Sequence, residues 1–259
     1  MRARKLVDNF ICVWRTCGPA SALAYAAAIF TTIPEILRTG TLVPADRKMR
    51  GCRYRLQGVE VVLQGDFSQA REMYCRQVYF PTPDFRLRRG GVVVDLGANI
   101  GLFSLLAAKA GCHVLAVEAQ KGFAREMRAL LALQGVDRNV AIEVALVGAA
   151  RGLLSEAKTL GAASHLEGAI PPSISMAELL ARHGIREIDF LKVDIEGSEF
   201  ALFSENLDWL QHTRRIAMEM HADHGDPAFV VELLAARGFQ ILDRGDYLFA
   251  HRPARSENA

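Results

Sequence analysis

The sequence predicts a doubly wound, mostly parallel α/β sheet of seven strands that closes with a C-terminal antiparallel hairpin, preceded by an N-terminal helical extension. Three observations carry this. From Gly90 onward, short β-branched runs alternate regularly with helical segments, as in a parallel sheet covered on both faces. The helical segments stop at Gly111, Gly135, Gly184 and Gly238, where a left-handed cap ends a helix most easily. The last two apolar runs are separated only by Arg244-Gly245-Asp246, a hairpin connection.

Residues 1–60 carry helix signals near 6–14 and 20–30, then a loop broken by Pro34, Gly40 and Pro44, then a short strand over 58–63. Residues 69–78 read as a helix. Pro81 and Pro83 stop it, because each removes a donor and restricts the residue before it. The aromatics of this turn (residues 79–85) suit a lid over the mouth of the coming sheet or, equally, a linker that packs its rings on the core. Strands follow at 92–95, 113–118 and 140–147, with helices at 102–110 and 120–134 between them. A polar, Gly/Ala-rich loop runs from 148 to 170. Ser175-Met-Ala-Glu178 then forms a capping box for a helix that ends at Gly184. A strand at 188–194, a helix at 198–207 and a strand at 215–220 come next. Asp226-Pro227 supplies an N-cap and an N1 proline for the last helix, and the hairpin pairs 239–243 with 247–251. The expected organisation is an extension over 1–65 and one α/β domain over 66–259.

With 51% hydrophobic and 23% charged residues, the chain has ample material for a core. Its net charge is only +2, yet residues 1–60 hold ten Lys/Arg against four Asp/Glu, so they carry +6 and the remainder −4. Such a segment suits an anionic surface, a lipid headgroup or an acidic substrate; a solvated basic face is the plainer reading. Basic runs interleaved with aromatics are missing, so nucleic acid is not an expected partner. Residues 16–34 are uncharged and long enough to span a bilayer, but they are mostly Ala, Thr and Ser, with Gly18 and Pro19 near the start. Asp8 and Arg15 interrupt the run that a signal peptide keeps continuous. A packed helix of a cytoplasmic protein, at most in peripheral contact with a membrane, is expected. Five cysteines, an odd number without a C-x-x-C or zinc spacing, fit reduced thiols in a cytosol.

The functional signal begins at Val92-Val-Val-Asp95-Leu-Gly97-Ala-Asn99-Ile-Gly101, a strand, a glycine turn and a helix start. The carboxyl edge of a parallel sheet is where such folds bind ligands. A dinucleotide site asks for G-x-G-x-x-G, whereas here Asn99 stands where a middle glycine belongs and a third glycine is missing. Asp95 adds a carboxylate two residues before Gly97. An acid in that crevice suits a ligand with an ammonium group and no phosphate, which favours S-adenosylmethionine over NAD. Glu118 ends the second strand twenty-one residues after Gly97, where an acid accepts hydrogen bonds from both ribose hydroxyls. Strand four ends Lys192-Val-Asp194-Ile-Glu196-Gly197-Ser-Glu199, with three carboxylates in six residues.

These stretches, together with Tyr79-Phe-Pro-Thr-Pro-Asp-Phe85, resemble the FkbM family of methyltransferases over about residues 70–251, and the parallel sheet with its terminal hairpin resembles the class I, Rossmann-like methyltransferase fold. The resemblance implies methyl transfer from S-adenosylmethionine to an oxygen, on a hydroxyl of a sugar, glycan or secondary metabolite. Asp95, Gly97, Asn99, Gly101, Glu118 and Asp194 are then the expected donor-binding residues. One departure stands out: after strand three, Ala145-Leu-Val-Gly148 offers the adenine no side-chain acceptor.

Methyl transfer to a hydroxyl also needs a proton acceptor. His221, in Met218-Glu-Met-His221 at the end of strand five, is the candidate base, with Asp194 and Glu196 beside it as further candidate catalytic residues and Glu219 and His224 nearby. His221 is alternatively a structural histidine, and Glu196 and Glu199 are alternatively partners of helix N-terminal N–H groups. The grouped acids and His221 have the chemistry of a divalent-cation site, but spacing alone assigns no metal. His165, in Gly161-Ala-Ala-Ser164-His165 of the long loop, is a candidate lining residue of the acceptor side; a disordered surface loop is an equal reading. Two rival readings differ in class. An NAD-dependent oxidoreductase on a related sheet is opposed by the missing third glycine. A non-catalytic methyltransferase-like fold used for interaction or membrane docking is opposed by the intact acids.

Overall fold

The computed structural model describes residues 3–49, 51–65, 67–148 and 171–253. The chain divides into two compact units, 1–81 and 82–259. The boundary thus falls sixteen residues beyond the expected one at 65/66, because the segment after the second strand packs back onto the first helices. Its physical anchor is a buried bidentate ion pair. Arg71 Nε and Nη2 donate to Asp46 Oδ1 and Oδ2 (3.0 and 2.9 Å), and Arg71 Nη1 donates to Asn9 Oδ1 (2.6 Å). Tyr25 Oη completes the cluster on Asp46 Oδ1 at 3.0 Å.

The first unit comprises helices Ala3–Cys17, Pro19–Thr31, Ile33–Thr39 and Val43–Asp46, an antiparallel pair β1 (Cys52–Leu56) and β2 (Val59–Leu63), and a short helix Phe67–Ala70 that widens into a π-helical segment, Arg71–Arg76. Among the described residues, no single helix is long and apolar enough to cross a membrane. Pro19–Thr31 and Ile33–Thr39 bend by 71° at Thr32, where Pro34 cannot continue the first helix's bonding. The five cysteines are free thiols, and Cys17 Sγ lies 3.7 Å from Cys75 Sγ.

The second unit is the expected sheet. Its strands are β3 (Val92–Leu96), β4 (His113–Val117), β5 (Val140–Glu143), β8 (Phe190–Val193), β9 (Arg215–Glu219), β10 (Gln240–Asp243) and β11 (Tyr247–His251), in the order β10-β11-β9-β8-β3-β4-β5. β5, β4, β3, β8 and β9 run parallel, and β11 lies antiparallel between β9 and β10. The chain goes from β3 outward to β4 and β5, then returns to the other side of β3 as β8. That reversal opens the crevice where open α/β sheets take ligands. The strand expected over 140–147 is two pieces: β5 stops at Glu143, and β6 (Leu146–Val147) pairs instead with β7 (Ser173–Ile174).

The core is built as the sequence implies. β3 and β8 are buried along almost their whole length, and Leu191, Val193, Ile216 and Met218 meet Leu179, Leu202 and Leu234 from the covering helices. Ser175 caps Met176–Arg182 through a capping box with Glu178, and Asp226 caps Pro227–Ala236. The aromatic turn does not form the lid considered above. Phe85 is buried with its ring against Phe190, Phe249 and His251, and the Arg215 side chain donates to the Asp84 and Arg86 carbonyls. Phe190 and Arg215 begin their strands, so Phe85 and Asp84 sit at the amino edge of the sheet, opposite the ligand edge.

Candidate active site

At the carboxyl edge of β3 the chain bends through three left-handed residues, Gly97 (φ 73°), Asn99 (φ 52°) and Gly101 (φ 85°). Gly97 is there for close approach: a Cβ would sit 1.6 Å from the Asp194 carbonyl oxygen. Asn99 tolerates its conformation by accepting the Ile100 N–H on Oδ1 at 2.7 Å. The turn is tied to the tip of β4. Gly97 and Ala98 N–H donate to the Val117 carbonyl (3.0 and 2.9 Å), Asn99 N–H to Glu118 Oε2 (2.7 Å), and Gln120 N–H to Glu118 Oε1 (2.8 Å). Burial pushes the Glu118 carboxyl above the usual range, against the pull of those two N–H groups.

A cavity of about 290 Å³ lies above this turn. Gly97, Asn99, Glu118, Asp194 and Glu196 line it. An apolar wall comes from Leu96, Val117, Phe123, Ala145 and Val147. The segment 145–147 therefore gives the cavity backbone and aliphatic surface, with no side-chain acceptor of its own.

Two expected donor-binding residues do not reach the cavity. Asp95 is fully buried on the other face of β3, because side chains alternate along a strand and Leu96 takes the cavity side. Asp95 Oδ2 accepts from Ser104 Oγ at 2.7 Å, and Oδ1 pairs with Lys192 Nζ at 3.3 Å. Gly101 faces the helix Lys121–Leu133, where a Cβ would meet Met127 Cγ at 2.4 Å. Both are supports of the turn.

Lys192 was not among the expected site residues, yet it joins the site's parts. It is 2% exposed, and its ammonium donates to the Gly97 carbonyl at 2.6 Å, with Asp194 Oδ2 at 3.5 Å on its other side. The two carboxylates raise its pKa against the opposing effect of burial. A lysine inside the otherwise apolar strand Phe190–Val193 was the available signal.

A second group of polar side chains is assembled from the ends of β8 and β9. After β8 the chain passes through Asp194, half-buried, and Glu196, exposed and held at φ 52° without a glycine's freedom. His221 follows β9. Its Nδ1 lies 2.9 Å from Oε1 of the fully buried Glu199, and its Nε2 lies 3.4 Å from Glu196 Oε2. Glu199 Oε1 also accepts the Ile195 N–H of the preceding loop at 3.1 Å, so one oxygen holds both that loop and the histidine. The hydrogen bond to Glu199 and the nearby acids raise the His221 pKa to about 9. His224 packs its ring where a Gly197 Cβ would lie, outside this group. Asp194, Glu196 and His221 each present a ligand-type atom within 4.8 Å of the others. His165 and the rest of the loop 149–170 lie outside the described residues.

Residues 95–241 match the model of the methyltransferase FkbM domain. The 31-O-demethyl-FK506 methyltransferase FkbM of Streptomyces tacrolimicus is 34% identical over 79 residues, which are 30% of this chain and 30% of that protein's length. Among solved structures, precorrin-6y C5,15-methyltransferase from Geobacter metallireducens GS-15 aligns with TM-score 0.40 at 15% identity, covering 64% of this chain and 82% of that one. The ribosomal protein L11 methylase from Lactobacillus delbrueckii subsp. bulgaricus aligns with TM-score 0.41 at 13% identity, covering 73% and 82%.

Proposed function

Because the chain belongs to the FkbM methyltransferase family, we propose that it transfers a methyl group from S-adenosylmethionine to the hydroxyl oxygen of a sugar, glycan or secondary metabolite. The observation that carries this is the pairing, at one sheet edge, of a carboxylate-walled cavity at Glu118 and Asp194 with a carboxylate-backed histidine at His221.

The residues present fit the donor. Glu118 is immobilised by two backbone N–H groups, so its remaining lone pairs are fixed acceptors for vicinal hydroxyls. Asp194 offers a second acid to an ammonium group, while Phe123, Ala145 and Val147 supply flat apolar surface for a base. The turn has Asn99 where a phosphate cradle of the G-x-G-x-x-G kind has its middle glycine, and no third glycine follows, which weighs against the nicotinamide reading. When bound, the donor supplies an electrophilic methyl group on a sulfonium.

On the acceptor side, Nδ1–H donated to Glu199 leaves Nε2 as the proton acceptor, the geometry of a general base with its orienting acid. The surrounding acids keep the ring protonated near neutrality. A cation in the cavity lined by Asp194 and Glu196 opposes the imidazolium and returns the ring towards the neutral form. The hydroxyl proton then passes to Nε2, and Glu196 stabilises the charged ring. Donor occupancy and readiness of the base are thus linked.

The test is calorimetric titration with S-adenosylhomocysteine and with NADH, followed by incubation of a metabolite extract with isotopically labelled donor and mass spectrometry of the products. Binding of the nucleoside thioether and label on oxygen support the proposal. Binding of NADH alone, or label found only on nitrogen or carbon, overturns it.

A further inference from the structure

We propose that the first unit is a peripheral membrane anchor whose helices lie on an anionic lipid bilayer. Eight of the eleven exposed large apolar side chains among the described residues fall within the first 49 positions, in a unit that is less than a third of the chain. They are ordered along the helices. Val7, Ile11 and Trp14 follow one another at four and three residues on Ala3–Cys17, a single stripe. On the next helix Leu23 and Phe30 stand seven apart, at 63% and 76% exposure, while Ala22, Tyr25 and Ala28 take the buried side. Leu37, on Ile33–Thr39, is 75% exposed. The buried faces satisfy the core, so folding does not require the outer stripes to be apolar.

Charge selects the occupant. Residues 1–60 carry +6. Arg15, Arg38 and Arg47 are exposed and outside any ion pair among the described residues, whereas Asp46 is consumed by Arg71. Exposed acids on these helices are few, Asp8 and Glu35. A second copy of the same face would set like charges against each other. An anionic bilayer offers both an apolar layer for the stripes and negative headgroups for the arginines. Among the described residues no single helix is long and apolar enough to span, and the pair Pro19–Thr31 and Ile33–Thr39, which reaches that length together, bends by 71° at its break, so the proposal lays the helices in the interface.

The experiment is flotation of the full chain with vesicles of phosphatidylcholine alone or mixed with phosphatidylserine. The chain rises with the mixed vesicles at low salt, and much less with neutral ones or at high salt, where screening shortens the electrostatic reach. Trp209 is buried, so a blue shift of tryptophan emission on vesicle addition reports Trp14. Each of Trp14→Ser, Phe30→Ser and Leu37→Ser lowers vesicle partition about tenfold, as removal of one inserted apolar side chain should. These positions are exposed, so circular dichroism and S-adenosylhomocysteine affinity stay unchanged, which keeps loss of anchoring separate from loss of fold or of donor binding. The proposal is overturned if the chain stays with the soluble fraction beside anionic vesicles at low salt. It is equally overturned if the three substitutions turn a dimer into a monomer without changing flotation, which assigns the face to a second copy.

Discussion

Asp95 turns away from the cavity and closes on Lys192, with Oδ1 3.3 Å from Nζ, so the first acid of the glycine turn is a structural partner of a buried lysine. The same ammonium holds the Gly97 carbonyl, and the pair therefore fixes the bend that shapes the cavity.

Breaking a buried pair from one side leaves a charge without its partner, at a cost of about 3–5 kcal/mol. Asp95→Ala should therefore lower the unfolding free energy by about 3 kcal/mol in urea titrations. Any loss of donor affinity follows from that. An Asp95→Ala protein with normal stability and absent S-adenosylhomocysteine binding would mean that Asp95 touches the ligand after all.

Glu118→Gln removes the charge but keeps one acceptor for the two N–H groups. Hydrogen bonds to charged groups contribute about 1.5–3 kcal/mol, so S-adenosylhomocysteine should bind about 10–100-fold more weakly, and the melting temperature should fall modestly because the amide NH2 leaves one of the two N–H groups without an acceptor. Calorimetry and thermal unfolding on one preparation check both halves, and unchanged affinity would remove Glu118 from the donor site.

Gly97→Ala places a methyl group 1.6 Å from the Asp194 carbonyl oxygen on a backbone at φ 73°. The turn must move, so the variant should lose donor binding, whereas Gly245→Ala in the distal hairpin, with open space at its Cβ, should keep it. Equal affinities in the two variants would contradict the close approach.

His221 gives two pH signatures. Its pKa in the fold, about 9, lies above the ordinary 6.5, so its contact with Glu199 contributes stability fully below pH 6.5 and loses it as pH rises through about 9. His221→Gln should flatten the stability profile across that window. The rate constant kcat/KM for the donor reports the free enzyme and should rise towards about 9, while kcat, reporting the donor-bound form, should level off at lower pH. Profiles without a basic limb between neutrality and about 9 would exclude His221 as the base.

The sheet, the turn and the Glu118 tip were legible in the sequence because each is a local event: a β-branched run, a glycine, an acid at a fixed offset. Asp95 was not. β3 is buried on both sides, so its residues carry no apolar–polar alternation to say which face each takes. Lys192 escaped because its meaning depends on β8 lying beside β3, ninety-odd residues apart in the chain. The Glu199–His221 contact likewise joins the ends of two strands, and neither residue announces it alone. The boundary between the units was not legible because the Arg71–Asp46 pair joins residues 25 apart across β1 and β2, a contact with no local sequence signal.

The order of strands separates the two halves of the chemistry. Glu118 hangs from β4 on one side of β3, while Asp194 and His221 hang from β8 and β9 on the other. The loop after β9 can accordingly be varied without rebuilding the Glu118 tip or the Asp194 turn, which line the cavity together. A lineage with this topology can diversify its products by editing one flank of the molecule, and a protein engineer can do the same with a library confined to that flank.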